Sequence, residues 1–182
     1  MLKRLFIALT IPTDISADLK RIQHGIRGAT WVTPHNFHLT LCFIGTVNNG
    51  ITEEIIEALE NIRVARFFLQ LCGVNHFSRK GEIRSLWVGV LSNSTLTLLQ
   101  KKIVTTLIRS DFPFDKREFR PHVTLAKLKN ASVDDIAFYE KSNNLFSTRV
   151  FTINAFTIFE SIIKGGGPIY IPIAEIPMMY EV

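Results

Sequence analysis

Two tetrapeptides, His38-Leu39-Thr40-Leu41 and His122-Val123-Thr124-Leu125, constrain this chain more than anything else in it. Side chains along a β-strand point alternately to opposite faces. Read as strands, both segments put an imidazole and a hydroxyl on one face and two aliphatic side chains on the other. The two polar residues of each pair then stand about 6–7 Å apart along the strand. One His-aliphatic-Thr-Leu run is most simply an ordinary half-buried strand. Two of them, drawn from only five histidines, argue for one site assembled from two halves.

The rest of the chain supports that reading, because the order of elements around each motif repeats. Leu5 to Ile11 reads as a buried strand. Ile15, Leu19, Ile22 and Ile26 mark one face of a helix over 13–28, with Thr13 as N-cap and Gly28 as its stop. The first motif strand covers 37–44. A helix then starts near Thr52, with Glu53 and Glu54 in its first turn. Strands over 67–74 and 86–91 follow, joined by a loop over 75–84. The second half runs helix 94–109, motif strand 122–128, and a helix capped by Ser132 with Asp135 as capping-box partner. Strands over 150–159 and 169–173 close it, with a glycine turn at Gly165–Gly167 between them. Pro172 and Pro177 place the last strand at a sheet edge.

The 182 residues carry 47% hydrophobic side chains and fourteen phenylalanines, ample for a real core and against long disorder. No linker-like stretch interrupts them, so residues 1–182 are expected to form a single domain of two closely packed lobes. A net charge of +5 suits a polyanionic substrate steered into a basic cleft. Cys42 and Cys72 lie in apolar runs and read as reduced residues of a cytoplasmic protein. The apolar run after the first residues is too short to span a bilayer and stops at Pro12. No membrane association is expected.

Two imidazoles facing one another suit the opening of a cyclic phosphodiester. A neutral ring takes a proton from the attacking water, and a protonated ring gives one to the departing ribose oxygen. Histidine serves both roles because its ordinary pKa lies near 6.5. Thr40 and Thr124 would hold the non-bridging oxygens, where charge gathers in the transition state. No HExxH, CxxC or DxD cluster accompanies the histidines, so neither a metal nor another cofactor is expected. Arg120 has the parity of His122 and is a candidate phosphate ligand. Arg79, Lys80 and Arg84 are candidates for the nucleic-acid backbone. His24 and His76 read as structural or solvated.

These motifs, with RLFIALTIP, WVTPHNFHLTLCFIG, FSRKGEIRSLWVGV, FRPHVTLAKL and FTIFESIIKGGGPIY around them, resemble the 2H phosphoesterase superfamily. Within it the chain is most similar to RNA 2′,3′-cyclic phosphodiesterases, formerly described as 2′–5′ RNA ligases. The resemblance spans nearly the whole chain. It implies an α+β fold of two pseudo-symmetric lobes, with antiparallel sheets lining a central cleft and helices outside. It also implies that His122 acts as base toward water and His38 as acid toward the 3′ oxygen, leaving a 2′-phosphate. Cys42 and His35 depart from the family pattern, where relatives often carry a basic and an acidic residue. Cys42 has the parity of His38 and Thr40, which puts it at the cleft edge. The expected partners are RNA ends or a nucleotide, met by a monomer. The alternatives are a phosphodiesterase for 2′–5′-linked oligonucleotides or a small cyclic nucleotide, and a binding module for RNA ends without turnover.

Overall fold

The computed structural model describes residues 1–165 and 167–179. Its first strand, β1 (Leu2–Thr10), has Leu5 through Leu9 all buried, which marks a central strand covered on both faces. Chain order continues through α1 (Thr13–Arg21), β2 (Ala29–Trp31), a 3-10 turn at Pro34–Asn36, β3 (His38–Asn48) and α2 (Asn49–Glu60). Next come β4 (Phe67–Leu69), β5 (Leu71–Arg79), β6 (Glu82–Val90) and α3 (Ser94–Arg109). The last elements are β7 (His122–Leu128), α4 (Val133–Ser142), β8 (Phe151–Ile153), β9 (Ala155–Lys164) and β10 (Gly167–Pro177).

Antiparallel pairing links the main sheet in the order β10-β9-β1-β3-β7-β6-β5, with β2 also on β7; β4 and β8 form a separate ladder. The sheet is two sheets joined at one place. β3 and β7 pair only through Leu39 and Val123. On one side β10, β9, β1 and β3 form the first lobe, and on the other β7, β2, β6 and β5 form the second. The result is the expected α+β architecture of two lobes. The lobes do not coincide with the halves of the chain, however. Hairpin β5–β6 comes from the first half and packs on the motif strand of the second; hairpin β9–β10 comes from the second half and packs on β1 of the first.

Several element boundaries move for local reasons. α1 ends at Arg21, not near Gly28; Gly25 adopts a left-handed conformation and Ile26 turns back into the core. Pro12, whose carbonyl accepts the Ser16 N–H, stands before the helix, and Thr13 is its first residue and not its cap. α2 starts earlier than Thr52 because Asn48 is the cap, its side chain accepting the Ile51 N–H at 2.9 Å. Thr52 is buried inside the helix and donates to the Asn48 carbonyl. The segment 75–84 is not a loop: it supplies the arms of a hairpin turned at Lys80 and Gly81, both with positive φ. α3 and β7 have the expected bounds, and Ser132 caps α4 by accepting the Asp135 N–H. β10 is an edge strand, as its prolines require. Of the expected Gly165–Gly167 turn, Gly166 lies outside the described residues.

Both motif strands carry a β-bulge at the same place. Along β1 and β3, Ala8 pairs with Thr40 and Ile7 with Cys42, so Leu41 is the extra residue. Along β6 and β7, Trp87 pairs with Thr124 and Leu86 with Ala126, so Leu125 is extra. A bulge leaves a carbonyl without its regular ladder partner. At Leu125 that oxygen accepts the Val32 N–H at 2.9 Å and the buried Gln23 amide at 2.9 Å; Gln23 also donates to the Val32 carbonyl at 2.7 Å. Gln23→Leu keeps the volume and removes both amide bonds. It is expected to destabilise the fold by roughly 1–3 kcal/mol, read as a lower denaturation midpoint with unchanged slope.

Candidate active site

Leu39 and Val123 face the core with no measurable exposure. Their neighbours therefore face the opposite side, into the cleft. Because the strands run antiparallel through this pair, His38 lies toward Thr124 and Thr40 toward His122. All four side chains are half-buried. One bridging pair thus brings the two sequence motifs to a common centre, and crosses them.

Each histidine is held in the same way. His38 Nδ1 lies 2.7 Å from the carbonyl of Asn36, and His122 Nδ1 lies 2.6 Å from the carbonyl of Arg120. A carbonyl only accepts, so both Nδ1 atoms carry the proton and both Nε2 atoms are left for substrate. Aromatic rings brace each imidazole. Phe6 stands 5.0 Å from His38 and Tyr170 4.9 Å, edge-on. Phe77 stands 4.9 Å from His122, also edge-on, and Trp87 5.8 Å. Gly89 pairs with His122, and a Cβ there would come within 3.0 Å of the Cys72 carbonyl.

This enclosure sets the protonation of the rings. Burial pushes His38 below the ordinary 6.5, the Asn36 carbonyl pulls it part of the way back, and repulsion from His122 lowers it again. Burial likewise lowers His122 against the raising effect of the Arg120 carbonyl. Cys42 goes the other way: burial first, then the charge of Asp115, pushes its thiol up to about 12, so it is inert as a nucleophile. Among the described residues no group of three or more His, Cys, Asp or Glu side chains is placed to hold a metal ion. No helix among them is long and apolar enough to cross a membrane.

A groove of about 2240 Å³ contains Thr40, His122 and Thr124, with Arg79, Lys80, Arg84 and Arg120 on its walls. A smaller cavity of about 330 Å³ adjoins His38, Tyr170 and His35. Arg120 is exposed, and its guanidinium is paired with Glu118 at 2.9 Å. Its backbone carbonyl, which holds the His122 ring, is the part that reaches the centre. Arg84 pairs with Glu82, and His76 with Glu140 at 2.7 Å, while His24 is solvated.

The bulges overturn one reading of the sequence and expose two residues that it missed. Strict alternation places Cys42 on the cleft face; the extra Leu41 hands that face to Phe43, which pairs with the cleft-side Phe6. Cys42, paired with Ile7, is 6% exposed and belongs to the core. In the second lobe the bulge at Leu125 does the same for Lys127, paired with Ser85, while Ala126 is buried. Phe43 and Lys127 therefore occupy equivalent positions, five residues after each histidine, and both line the groove. That shared offset was present in the sequence, but only the bulge gives it meaning.

The pattern of the LigT like phosphoesterase family fits the chain twice, over residues 9–87 and 88–170. The chain belongs to this family. Each copy contains one motif strand, as the crossed geometry demands of a LigT-like phosphoesterase built from two repeats. Among its relatives, the RNA 2′,3′-cyclic phosphodiesterase of Archaeoglobus fulgidus is 31% identical over 92% of this chain and 96% of its own length. The protein of the same name in Aeropyrum pernix is 33% identical over 80% and 84%. The LigT-like fold is shared with TT0787 of Thermus thermophilus, at TM-score 0.80 and 23% identity, covering 98% of this chain and 100% of that one. E. coli LigT in apo form also superposes with TM-score 0.80 at 23% identity, over 97% and 98% of the two chains.

The lowered histidines make a testable statement about protons. Both rings should titrate below 6.5 when followed by NMR through their Cε1–H signals. The unfolded chain, with ordinary histidines, binds these protons more readily. The stability present above pH 6.5 should therefore be lost as pH falls from that value through the two folded midpoints. Titration of both rings at or above 6.5 would show that the enclosure does not desolvate them.

Proposed function

We propose that this chain opens the terminal 2′,3′-cyclic phosphate of RNA by hydrolysis, leaving a 2′-phosphomonoester. The observation that carries the reading is the matched pair of imidazoles. Each is tied through Nδ1 to a carbonyl two residues earlier and joined on its face by a threonine two residues later, in lobes that meet at a single strand pair. Relatives named RNA 2′,3′-cyclic phosphodiesterase support the substrate. A pure binding module has no need of two proton-transfer groups. The groove extends from Thr40, His122 and Thr124 to Arg79, Lys80 and Lys127, a basic path that suits an RNA strand.

The phosphodiester anion binds between the rings, its non-bridging oxygens taking hydrogen bonds from the Thr40 and Thr124 hydroxyls. Lys127 adds positive charge on the His122 side, and Arg120 on the rim. The anion offsets the desolvation and mutual repulsion that keep both rings neutral, so one of them can carry a proton. His122, neutral at Nε2, removes a proton from water as its oxygen attacks phosphorus. The P–O3′ bond breaks, and His38 delivers its Nε2 proton to the departing O3′. Its lowered pKa makes the His38 imidazolium a stronger acid than one in water. The product keeps phosphate on O2′; exchange of protons with solvent then resets both rings. We read residues 1–182 as one domain acting as a cytoplasmic monomer, since one chain supplies both halves of the site.

The direct test is to incubate the protein, with EDTA present, with a short RNA ending in a 2′,3′-cyclic phosphate. A 2′-phosphate product is expected; an intact cyclic end, or turnover only after a metal is restored, would overturn the reading. Thr40→Ala and Thr124→Ala should each fold normally and lose roughly ten- to a thousand-fold in rate, as for one oxyanion-type donor. A substrate whose leaving group needs no proton, such as a nitrophenyl ester, should partly rescue His38→Ala and leave His122→Ala inactive. Rescue of His122→Ala instead would reverse the two roles.

A further inference from the structure

His38 is held by the Asn36 carbonyl, and Asn36 is itself held from a distance. It ends a 3-10 turn whose other two residues, Pro34 and His35, are exposed. So short a turn has poorly aligned hydrogen bonds and by itself fixes a carbonyl loosely. Three polar groups of Asn36 are engaged. Its N–H donates to the Thr33 carbonyl at 2.8 Å, and its carbonyl accepts from His38 Nδ1 at 2.7 Å. Its half-buried side-chain amide donates to the Pro168 carbonyl at 3.1 Å, on the edge strand β10. Two residues further along β10, Tyr170 meets the His38 ring edge-on. Imidazole, turn and strand thus form a closed loop: ring to Asn36 carbonyl, Asn36 amide to β10, and β10 back to the ring through Tyr170. The other lobe is built differently. Among the described residues, no such bond joins Arg120 to the hairpin that carries Phe77 and Trp87; its exposed guanidinium turns to Glu118 instead.

We infer that the Asn36 side chain is a positioning residue for His38: its bond to Pro168 aims the imidazole at the departing O3′. The inference rests on the proposed hydrolysis, with His38 as the acid, and names what makes that acid directional. A proton passes only when donor and acceptor stand within about 2.6–3.2 Å of one another. O3′ belongs to a substrate whose phosphate is already gripped by two threonines, so it cannot move to meet a misplaced ring. The ring must be brought to it, and a carbonyl on a free turn would leave Nε2 to wander. His122 faces a looser demand, because its partner is a water that can shift and rotate to follow the ring. One histidine is therefore braced twice and the other once.

Steady-state kinetics on a short RNA ending in 2′,3′-cyclic phosphate and on a nitrophenyl phosphodiester test this. Asn36→Ala should lower kcat on the RNA roughly 10- to 100-fold with little change in KM, as for a misplaced reacting group. On the nitrophenyl ester its loss should be no greater than that of His38→Ala. Added to His38→Ala, the substitution should lower the RNA rate no further, because the two act through one ring. Asn36→Leu keeps the volume without the amide and should repeat the pattern, so a fold weakened by the smaller alanine does not decide the matter. The NMR titration supplies a separate readout. Burial lowers His38 and the Asn36 carbonyl raises it, so a loosened carbonyl should bring its midpoint down further. The other titratable groups around that ring, His35, Tyr170, Glu175 and His122, are the same in the variant. Equal losses on both substrates, a further loss on top of His38→Ala, or full activity in both Asn36 variants would overturn the inference. In each case the wild-type protein still opens the RNA end, and the phosphodiesterase reading stands. A wild-type protein that leaves the cyclic end intact refutes that reading, and the role of Asn36 with it.

Discussion

The pairing of Leu39 with Val123 is the contact on which the rest of the molecule depends. The two sheets are joined there and nowhere else along β3 and β7. Both side chains are fully buried, so the joint is anchored in the core beneath the cleft. Side-chain alternation then sends the residues on either side of each partner upward. Antiparallel direction crosses them, histidine toward threonine. A slip of one residue in this register would turn the imidazoles into the core and the aliphatic side chains into the cleft. The square of two histidines and two threonines and the hydrophobic joint are thus two faces of one strand contact.

Around that joint the molecule is symmetric close to the histidines and asymmetric beyond the threonines. Carbonyls two residues upstream set the same tautomer in both histidines, and edge-on rings enclose both. The enclosure lowers both pKa values, so neither ring by itself holds a proton firmly. Beyond the threonines the lobes diverge: the same bulge presents Phe43 on one side and Lys127 on the other. A site with full twofold symmetry would accept a cyclic phosphate in either orientation.

The exchange of hairpins explains why the halves work together. β5–β6, from the first half of the chain, supplies Phe77 and Trp87 to the histidine of the second. β9–β10, from the second half, supplies Tyr170 to the histidine of the first. Neither half therefore contains the complete surroundings of its own histidine. Repetition of the motif in the sequence suggested two similar halves. The structure turns them into two lobes that each need both.

Local patterns in the sequence determined a good deal of this protein. Alternation in HLTL and HVTL put each imidazole and hydroxyl on one face. Apolar spacing placed α3, Ser132 announced the start of α4, and prolines marked β10 as an edge. All of these follow from interactions within a few residues of the chain, which is why a sequence displays them. What lies across the sheet was decided only by the tertiary structure. The meeting of residues 39 and 123, the hairpin exchange, and the rings around each histidine all depend on partners distant in sequence. The bulges at Leu41 and Leu125 belong here too. They arise because the paired strand advances by one residue where the motif strand advances by two, and an isolated strand cannot show that. Hence Cys42 sits in the core and Phe43 in the cleft, against the parity of the sequence.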